Sequence, residues 1–127
     1  MSTLHRIAYV EDEKDIQEVA KMALELVGGF SVAVFSSGQE ALEKMAAFAP
    51  QLILLDVMMP GLDGPTTLAM LREQEGLTDV PAIFMTAKVQ THEVARYEAL
   101  GAVDVIAKPF DPMTLAGQLK EIWDNLP

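Results

Sequence analysis

The sequence contains no cysteine, only two histidines and one tryptophan, and nine basic residues against nineteen acidic ones. The lack of cysteine excludes disulfides, and with so little histidine it argues against a zinc site. The formal charge of -10 repels nucleic acid and anionic lipid unless a local basic patch intervenes, and none is visible. We therefore expect no direct nucleic acid partner, although an acidic excess also serves solubility alone.

Long apolar segments are missing as well. No run approaches the roughly 20 residues needed to cross a bilayer, and Met1 to Leu4 lack the basic start and apolar core of a secretory signal. We expect a cytoplasmic protein without membrane insertion. No interval is long or polar enough to form a linker, which predicts one domain over residues 1–127.

Short apolar runs rich in β-branched residues predict five β-strands. They are Ile7–Val10, Phe30–Phe35, Leu52–Asp56, Ala82–Met85 and Val103–Ala107. None alternates polar and apolar residues, which is typical of strands covered on both faces. The sheet is therefore expected to be parallel.

Helical periodicity occupies the intervals between the strands. The first helix is predicted over Lys14–Val27 and ends at Gly28. Its predicted buried stripe is Ile16, Val19, Ala20, Ala23, Leu24 and Val27. The second begins at Ser37, with Glu40 completing a capping box, and stops before Pro50. Its predicted apolar side is Leu42, Met45 and Ala46.

Three further helices follow the same alternation. They are predicted to start near Pro65, to run from Thr91 to Leu100 with Gly101 as the cap, and to follow Asp111. The methionines on apolar faces, Met45, Met70, Met85 and Met113, are expected to fill the core. Alternating strands and helices indicate a doubly wound α/β domain, whose functional site lies at the carboxyl ends of the strands.

Three acids occupy such strand ends: Glu11, Asp12 and Asp56. Carboxylates that lose hydration and repel one another are costly unless a cation compensates. Mg²⁺ is the favoured ion because it prefers carboxylate, carbonyl and water oxygens. The alternative is that Glu11 or Asp12 merely caps the first helix.

The next two strand ends carry groups that suit an anion. Thr86 places a hydroxyl at the end of the fourth strand, and Lys108 places an ammonium group at the end of the fifth. Taken singly, Thr86 is more often a helix cap and Lys108 a solvated surface charge. Together with the acids they fit a phosphoryl group on Asp56, with Thr86 donating a hydrogen bond and Lys108 forming an ion pair.

Four fragments in this order and spacing resemble the receiver domain of two-component response regulators over nearly the whole chain. The fragments are Tyr9 to Glu13, Leu54 to Gly64, Met85-Thr86-Ala87, and Lys108-Pro109-Phe110. The resemblance implies a flavodoxin-like sheet with strand order 2-1-3-4-5, as in chemotaxis regulators. It also implies a cis peptide bond between Lys108 and Pro109.

By the same resemblance, Asp56 takes a phosphoryl group from a sensor histidine kinase or a histidine phosphotransfer protein. Mg²⁺ is then held by Glu11, Asp12, Asp56 and the backbone carbonyl of Met58. Such a domain is a switch without enzymatic turnover. The chain leaves no room after its last helix for a second domain, so we expect output through contact with a protein target.

The sequence departs from the family pattern in two places. Val105 stands where many relatives carry an aromatic residue that moves on phosphorylation, and Glu11 stands where Asp is frequent. Lys88 and Met58 are expected to flank the phosphoryl group, although Lys88 fits an ordinary surface position equally well.

Four alternatives stay open. The chain is either a stand-alone regulator or a receiver cut from a longer protein, and a phosphate-independent interaction module is also compatible. An aspartyl-phosphate phosphohydrolase would need a second acid where Met58 stands.

Overall fold

The structure, a computed structural model, describes residues 3–87 and 90–127. One sheet contains five parallel strands in the order β2-β1-β3-β4-β5. The strands are β1 (Arg6–Val10), β2 (Ser31–Phe35), β3 (Leu52–Asp56), β4 (Ala82–Thr86) and β5 (Asp104–Ala107). Each predicted strand differs from the observed one by no more than one residue at either end. The predicted fold class and strand order are confirmed.

Both faces of the sheet are covered, which explains why the strand sequences do not alternate. Successive residues of β3 point to opposite faces, so Leu54 packs in one apolar cluster with Met85 and Leu55 packs in another with Phe84. The central strands β3 and β4 are buried along their whole length. This double burial is the condition under which a parallel sheet is stable.

The described residues form five α-helices, of which the first four connect successive strands and the fifth follows β5. They are α1 (Lys14–Met22), α2 (Gly38–Phe48), α3 (Gly64–Leu71), α4 (Thr91–Ala99) and α5 (Leu115–Asp124). A π-helical turn, Ala23–Val27, continues α1. Within the described residues, no helix combines the length and apolarity that a membrane span requires.

The predicted buried stripe of the first helix is too wide. Ala20, Ala23 and Leu24 are buried, but Val19 is 45% exposed and Val27 is 50% exposed. The π-helical turn breaks the 3.6-residue period after Met22, so Val27 no longer falls on the buried face. Val19 lines a groove beside the loop before α5 instead of meeting another helix.

The second helix begins as predicted, with one change in its cap. The Ser37 hydroxyl accepts a hydrogen bond from the Glu40 amide at 3.0 Å. The Glu40 carboxylate returns a bond to the amide of Ser36 at 2.8 Å, one residue before the position that a capping box predicts. Ala46 is exposed, and Ala41 takes its predicted place beside Met45 in the core.

The last helix starts at Leu115, later than predicted. The Asp111 carboxylate accepts the Met113 amide at 2.9 Å, and the Asp111 carbonyl accepts the amides of Thr114 and Leu115. This turn replaces the first helical turn.

Only two of the four methionines expected in the core are buried. Met45 and Met85 are fully buried, so that part of the prediction is confirmed. Met113 is 72% exposed because it lies in the turn before α5, and Met70 is 41% exposed on α3.

Gly64 allows α3 to begin against the end of β3. A Cβ atom at residue 64 would lie 2.4 Å from the carbonyl oxygen of Asp56 and 2.9 Å from Cα of Val57. Both are backbone atoms that no side-chain rotation can move away. The Gly64 amide also donates to the Val57 carbonyl at 2.9 Å. Glycine therefore sets how closely the helix approaches the strand end.

We expect Gly64→Ala to lower the free energy of unfolding by roughly 1–3 kcal/mol because the added methyl group overlaps backbone atoms. Gly117→Ala is the matched control. Gly117 is an exposed residue of α5, and nothing lies within 4 Å of the added atom. This variant should stabilise the protein by about 0.5–1 kcal/mol through helix propensity. Urea unfolding of both variants measures the difference. Equal effects would contradict this account of Gly64.

Candidate functional site

Parallel strands bring the predicted site residues to one edge of the sheet. Asp56 and Thr86 are the last residues of β3 and β4, while Glu11 and Lys108 directly follow β1 and β5. The Lys108 amide donates to the Thr86 carbonyl at 2.9 Å, which ties the last two strand ends together. Asp12 follows Glu11 at the same edge. The edge therefore holds three acids, a hydroxyl and an ammonium group.

The Lys108 ammonium group joins two of the acids. Its Nζ atom lies 2.8 Å from Oε1 of Glu11 and 3.3 Å from Oδ2 of Asp56. Glu11 is fully buried, and Asp56 is 4% exposed. Lys108 is therefore not the solvated surface charge that was its alternative interpretation. The peptide bond between Lys108 and Pro109 is cis, as the resemblance implied.

Glu11 has hydrogen-bond donors on both carboxylate oxygens. Oε1 accepts from the Tyr9 hydroxyl at 3.2 Å as well as from Lys108, and Oε2 accepts from the Glu13 amide at 3.2 Å. The side-chain amide of Gln17 on α1 donates to the Glu11 backbone carbonyl. The three hydrogen bonds to the carboxylate oxygens compensate for the hydration that a buried carboxylate loses.

The structure also tests the alternative that Glu11, Asp12 or Thr86 only caps a helix. The N-cap of α1 is Glu13, so neither Glu11 nor Asp12 has that place. The N-cap of α4 is Gln90, so Thr86 does not cap this helix. All three residues therefore lie at the edge of the sheet and not at the N-cap of the helix that follows.

Charge and burial shift the pKa of Asp56 upward. Burial, and then the negative charge of Glu11, raise the pKa of Asp56 to about 6, although Lys108 acts in the opposite direction. For Lys108, burial alone would lower the pKa. The hydrogen bond to Glu11 and the charges of Glu11 and Asp56 outweigh burial, so the pKa of Lys108 is raised.

The three acids fit a hard divalent cation. Carboxylate oxygens of Glu11, Asp12 and Asp56 all lie within 4.8 Å of one another. Glu11 and Asp56 are buried, and Asp12 is half-buried at the rim. Carboxylate oxygens are the ligands that Mg²⁺ and Ca²⁺ take in proteins. The backbone carbonyl of Met58 stays a predicted ligand, and the Met58 side chain is 74% exposed.

The contact between Tyr9 and Glu11 was not predicted from the sequence. Tyr9 was interpreted as a residue of the first strand and of the fragment Tyr9 to Glu13, without a role in the site, yet its hydroxyl donates to the Glu11 carboxylate. The available signal was spacing, because side chains two residues apart along an extended segment point to the same side. Val105 is half-buried and packs against the cluster that contains Phe84 and Tyr97. Lys88 lies outside the described residues.

Comparisons with known proteins agree with the geometry. A family model described as the response regulator receiver domain matches residues 7–120. The transcriptional regulatory protein CseB of Streptomyces coelicolor is 34% identical over 122 residues, which cover 96% of this chain and 50% of that protein. The DNA-binding response regulator MtrA of Mycobacterium tuberculosis is 36% identical over 115 residues, which cover 91% and 49%. The chain thus spans about half the length of these curated relatives.

Solved structures give the same result. The chemotaxis response regulator CheY4 of Vibrio cholerae superimposes with a TM-score of 0.86 at 27% identity, covering 94% of this chain and 99% of that one. The receiver domain of a signal transduction histidine kinase from Syntrophus aciditrophicus gives 0.80 at 31% identity, covering 96% and 92%. Similar domains therefore occur in proteins of different architecture.

The raised pKa of Asp56 predicts an unusual pH dependence for the metal-free protein. Between pH 4 and 6 the folded protein binds more protons at Asp56 than the unfolded chain does, because its pKa rises from 3.8 to about 6 on folding. This contribution to stability is therefore lost as pH rises through that window. Urea unfolding in chelator at several pH values should show a smaller loss in Asp56→Asn than in the wild type. Identical pH profiles would refute the shift.

Proposed function

Because the chain belongs to the family of response regulator receiver domains, we propose that it is a switch in which Asp56 accepts a phosphoryl group. The observation that carries this proposal is the ammonium group of Lys108, held between Glu11 and Asp56 at the edge of the sheet. An anion that arrives at Asp56 meets a cation already in place. We propose that residues 1–127 form one such domain.

The phosphoryl donor is a phosphohistidine of a sensor kinase or of a histidine phosphotransfer protein. A carboxylate oxygen of Asp56 attacks the phosphorus, and the bond from phosphorus to the histidine nitrogen breaks. The electron pair of that bond goes to the imidazole, and Asp56 becomes an acyl phosphate. Small phosphodonors such as acetyl phosphate serve by the same displacement.

Two further residues, Lys108 and Thr86, bind oxygens of the phosphoryl group once it is on Asp56. Lys108 turns from the carboxylates to a phosphoryl oxygen, which keeps its charge paired at each stage. The Thr86 hydroxyl, at the end of the neighbouring strand, donates to a second phosphoryl oxygen. Positioning and charge neutralisation supply most of the catalysis in phosphoryl transfer, so these residues need no further chemistry.

A Mg²⁺ ion completes the proposed site. Glu11, Asp12 and Asp56, with the backbone carbonyl of Met58, would hold it, and the clustering of the three carboxylates supports this assignment. When bound, the ion neutralises charge on the phosphoryl group. Glu11 and Asp12 remain in place throughout and orient the acceptor.

The phosphorylated state alters protein contacts and is not part of an enzymatic cycle. The relatives named above are DNA-binding and transcriptional regulators, but the excess of acidic residues favours a protein target for this domain. We place it in the cytoplasm, where histidine kinases present their phosphohistidine. The target is an unidentified protein.

Intact-mass analysis after incubation with acetyl phosphate tests the proposal. The wild type should gain one phosphoryl group in the presence of Mg²⁺ and none in chelator, because the charge of Lys108 alone does not offset the three clustered carboxylates. Asp56→Asn should gain none under either condition.

Asp63→Asn is the matched control. Asp63 is exposed and caps α3 through a 2.8 Å hydrogen bond to the Thr66 amide, a role that Asn also fills. This variant should be phosphorylated like the wild type. A folded wild type without any adduct would overturn the proposal and favour a phosphate-independent interaction module. An adduct that persists in Asp56→Asn would show that another residue accepts the phosphoryl group.

A further inference from the structure

Tyr9 brings a hydroxyl group into the buried part of the site. The residue is fully buried in β1 and packs in the cluster that contains Leu54 and Met85. Its hydroxyl donates to Oε1 of Glu11 at 3.2 Å. The contact therefore joins a buried hydroxyl to a fully buried carboxylate.

The same carboxylate oxygen has a second donor, the ammonium group of Lys108 at 2.8 Å. Oε2 is occupied separately by the Glu13 amide. Glu11 is fully buried, so bulk water does not replace a donor that it loses. If Lys108 turned to a phosphoryl oxygen, the Tyr9 hydroxyl would remain a donor to Oε1.

We propose that Tyr9 is a positioning residue whose hydroxyl holds the Glu11 carboxylate while Lys108 moves to the phosphoryl group. The inference rests on the proposed function, since it requires a phosphoryl group at Asp56. The hydroxyl of Tyr9 bonds to the carboxylate of Glu11 at 3.2 Å. It acts through Glu11, which would otherwise lose a hydrogen bond at the moment of transfer.

The length of the Glu11 side chain is the physical reason for a positioning contact from Tyr9. Glutamate has one methylene more than aspartate and one more torsion to immobilise. The hydroxyl of Tyr9, two residues earlier on the same side of the chain, fixes the end of that longer side chain. Tyr9 and Glu11 therefore form a functional pair.

Binding of beryllofluoride, a stable mimic of the aspartyl phosphate, separates this role from a general structural one. In Tyr9→Phe at fixed Mg²⁺, we expect the apparent affinity for beryllofluoride to fall about tenfold, the scale of one hydrogen bond to a charged group. Thermal unfolding as a function of beryllofluoride concentration measures this affinity. The initial rate of phosphorylation by saturating acetyl phosphate should fall by a similar factor.

Tyr97→Phe is the matched control. It removes the same hydroxyl from another buried tyrosine, which packs edge-on against Phe84 in the other apolar cluster. Its beryllofluoride affinity should equal that of the wild type. In a Glu11→Asp background the carboxylate withdraws from the hydroxyl, so Tyr9→Phe should change the affinity less than about twofold.

Three results would overturn the inference. Tyr9→Phe could bind beryllofluoride as the wild type does, or it could lose metal-free stability without any selective loss of affinity. The loss could also persist unchanged in the Glu11→Asp background. A wild type that binds beryllofluoride together with any of these results leaves the proposed function intact. A wild type that neither binds it nor gains a phosphoryl group refutes both.

Discussion

Two buried carboxylates at one sheet edge share the ammonium group of Lys108, at 2.8 Å from Glu11 and 3.3 Å from Asp56. Unpaired charges in such surroundings cost several kcal/mol each by order of magnitude. Among the described residues, the carboxylates of Glu11, Asp12 and Asp56 outnumber the ammonium group of Lys108, and the pKa of Asp56 stays raised to about 6. This incomplete balance supports the proposed cation site, and a bound cation would offset the negative charge that opposes an incoming phosphoryl group.

Two features of the fold bring the charged residues together: the parallel strands and the close approach of α3 to the end of β3. Parallel strands that are covered on both faces end at the same edge, so residues far apart in sequence meet there. Gly64 lets α3 begin against the backbone of Asp56, and the Val57 amide donates to the Met85 carbonyl at 3.0 Å. The end of β3, which carries the proposed acceptor Asp56, is thus held by backbone contacts on two sides. Rigid support of this kind is what positional catalysis requires.

Apolar runs and residues at strand ends are local signals, so they predicted the strands and the meeting of the site residues. The strand order was implied by the resemblance to receiver domains. Prediction from the sequence failed where a distant contact or a local turn decides the outcome. The π-helical turn exposes Val27, and the Asp111 turn delays α5 and exposes Met113. The bond between Tyr9 and Glu11 depends on the rotamer of a longer acid, which spacing alone does not specify. The positions of Thr86 and Lys108 followed from strand ends, but the pairing of Lys108 with Glu11 required coordinates.

Relaxation enhancement by Mn²⁺, added in trace amounts in place of Mg²⁺, tests most directly whether the three acids form one cation site. The account predicts the largest enhancement at the amides of residues 11–13, 56–59 and 107–108, and the smallest at the opposite strand ends, near Arg6 and Leu52. Glu11→Gln should weaken the pattern without moving it. Enhancement centred on another acidic surface, such as Glu121 and Asp124 on α5, or spread evenly over the protein, would contradict the account.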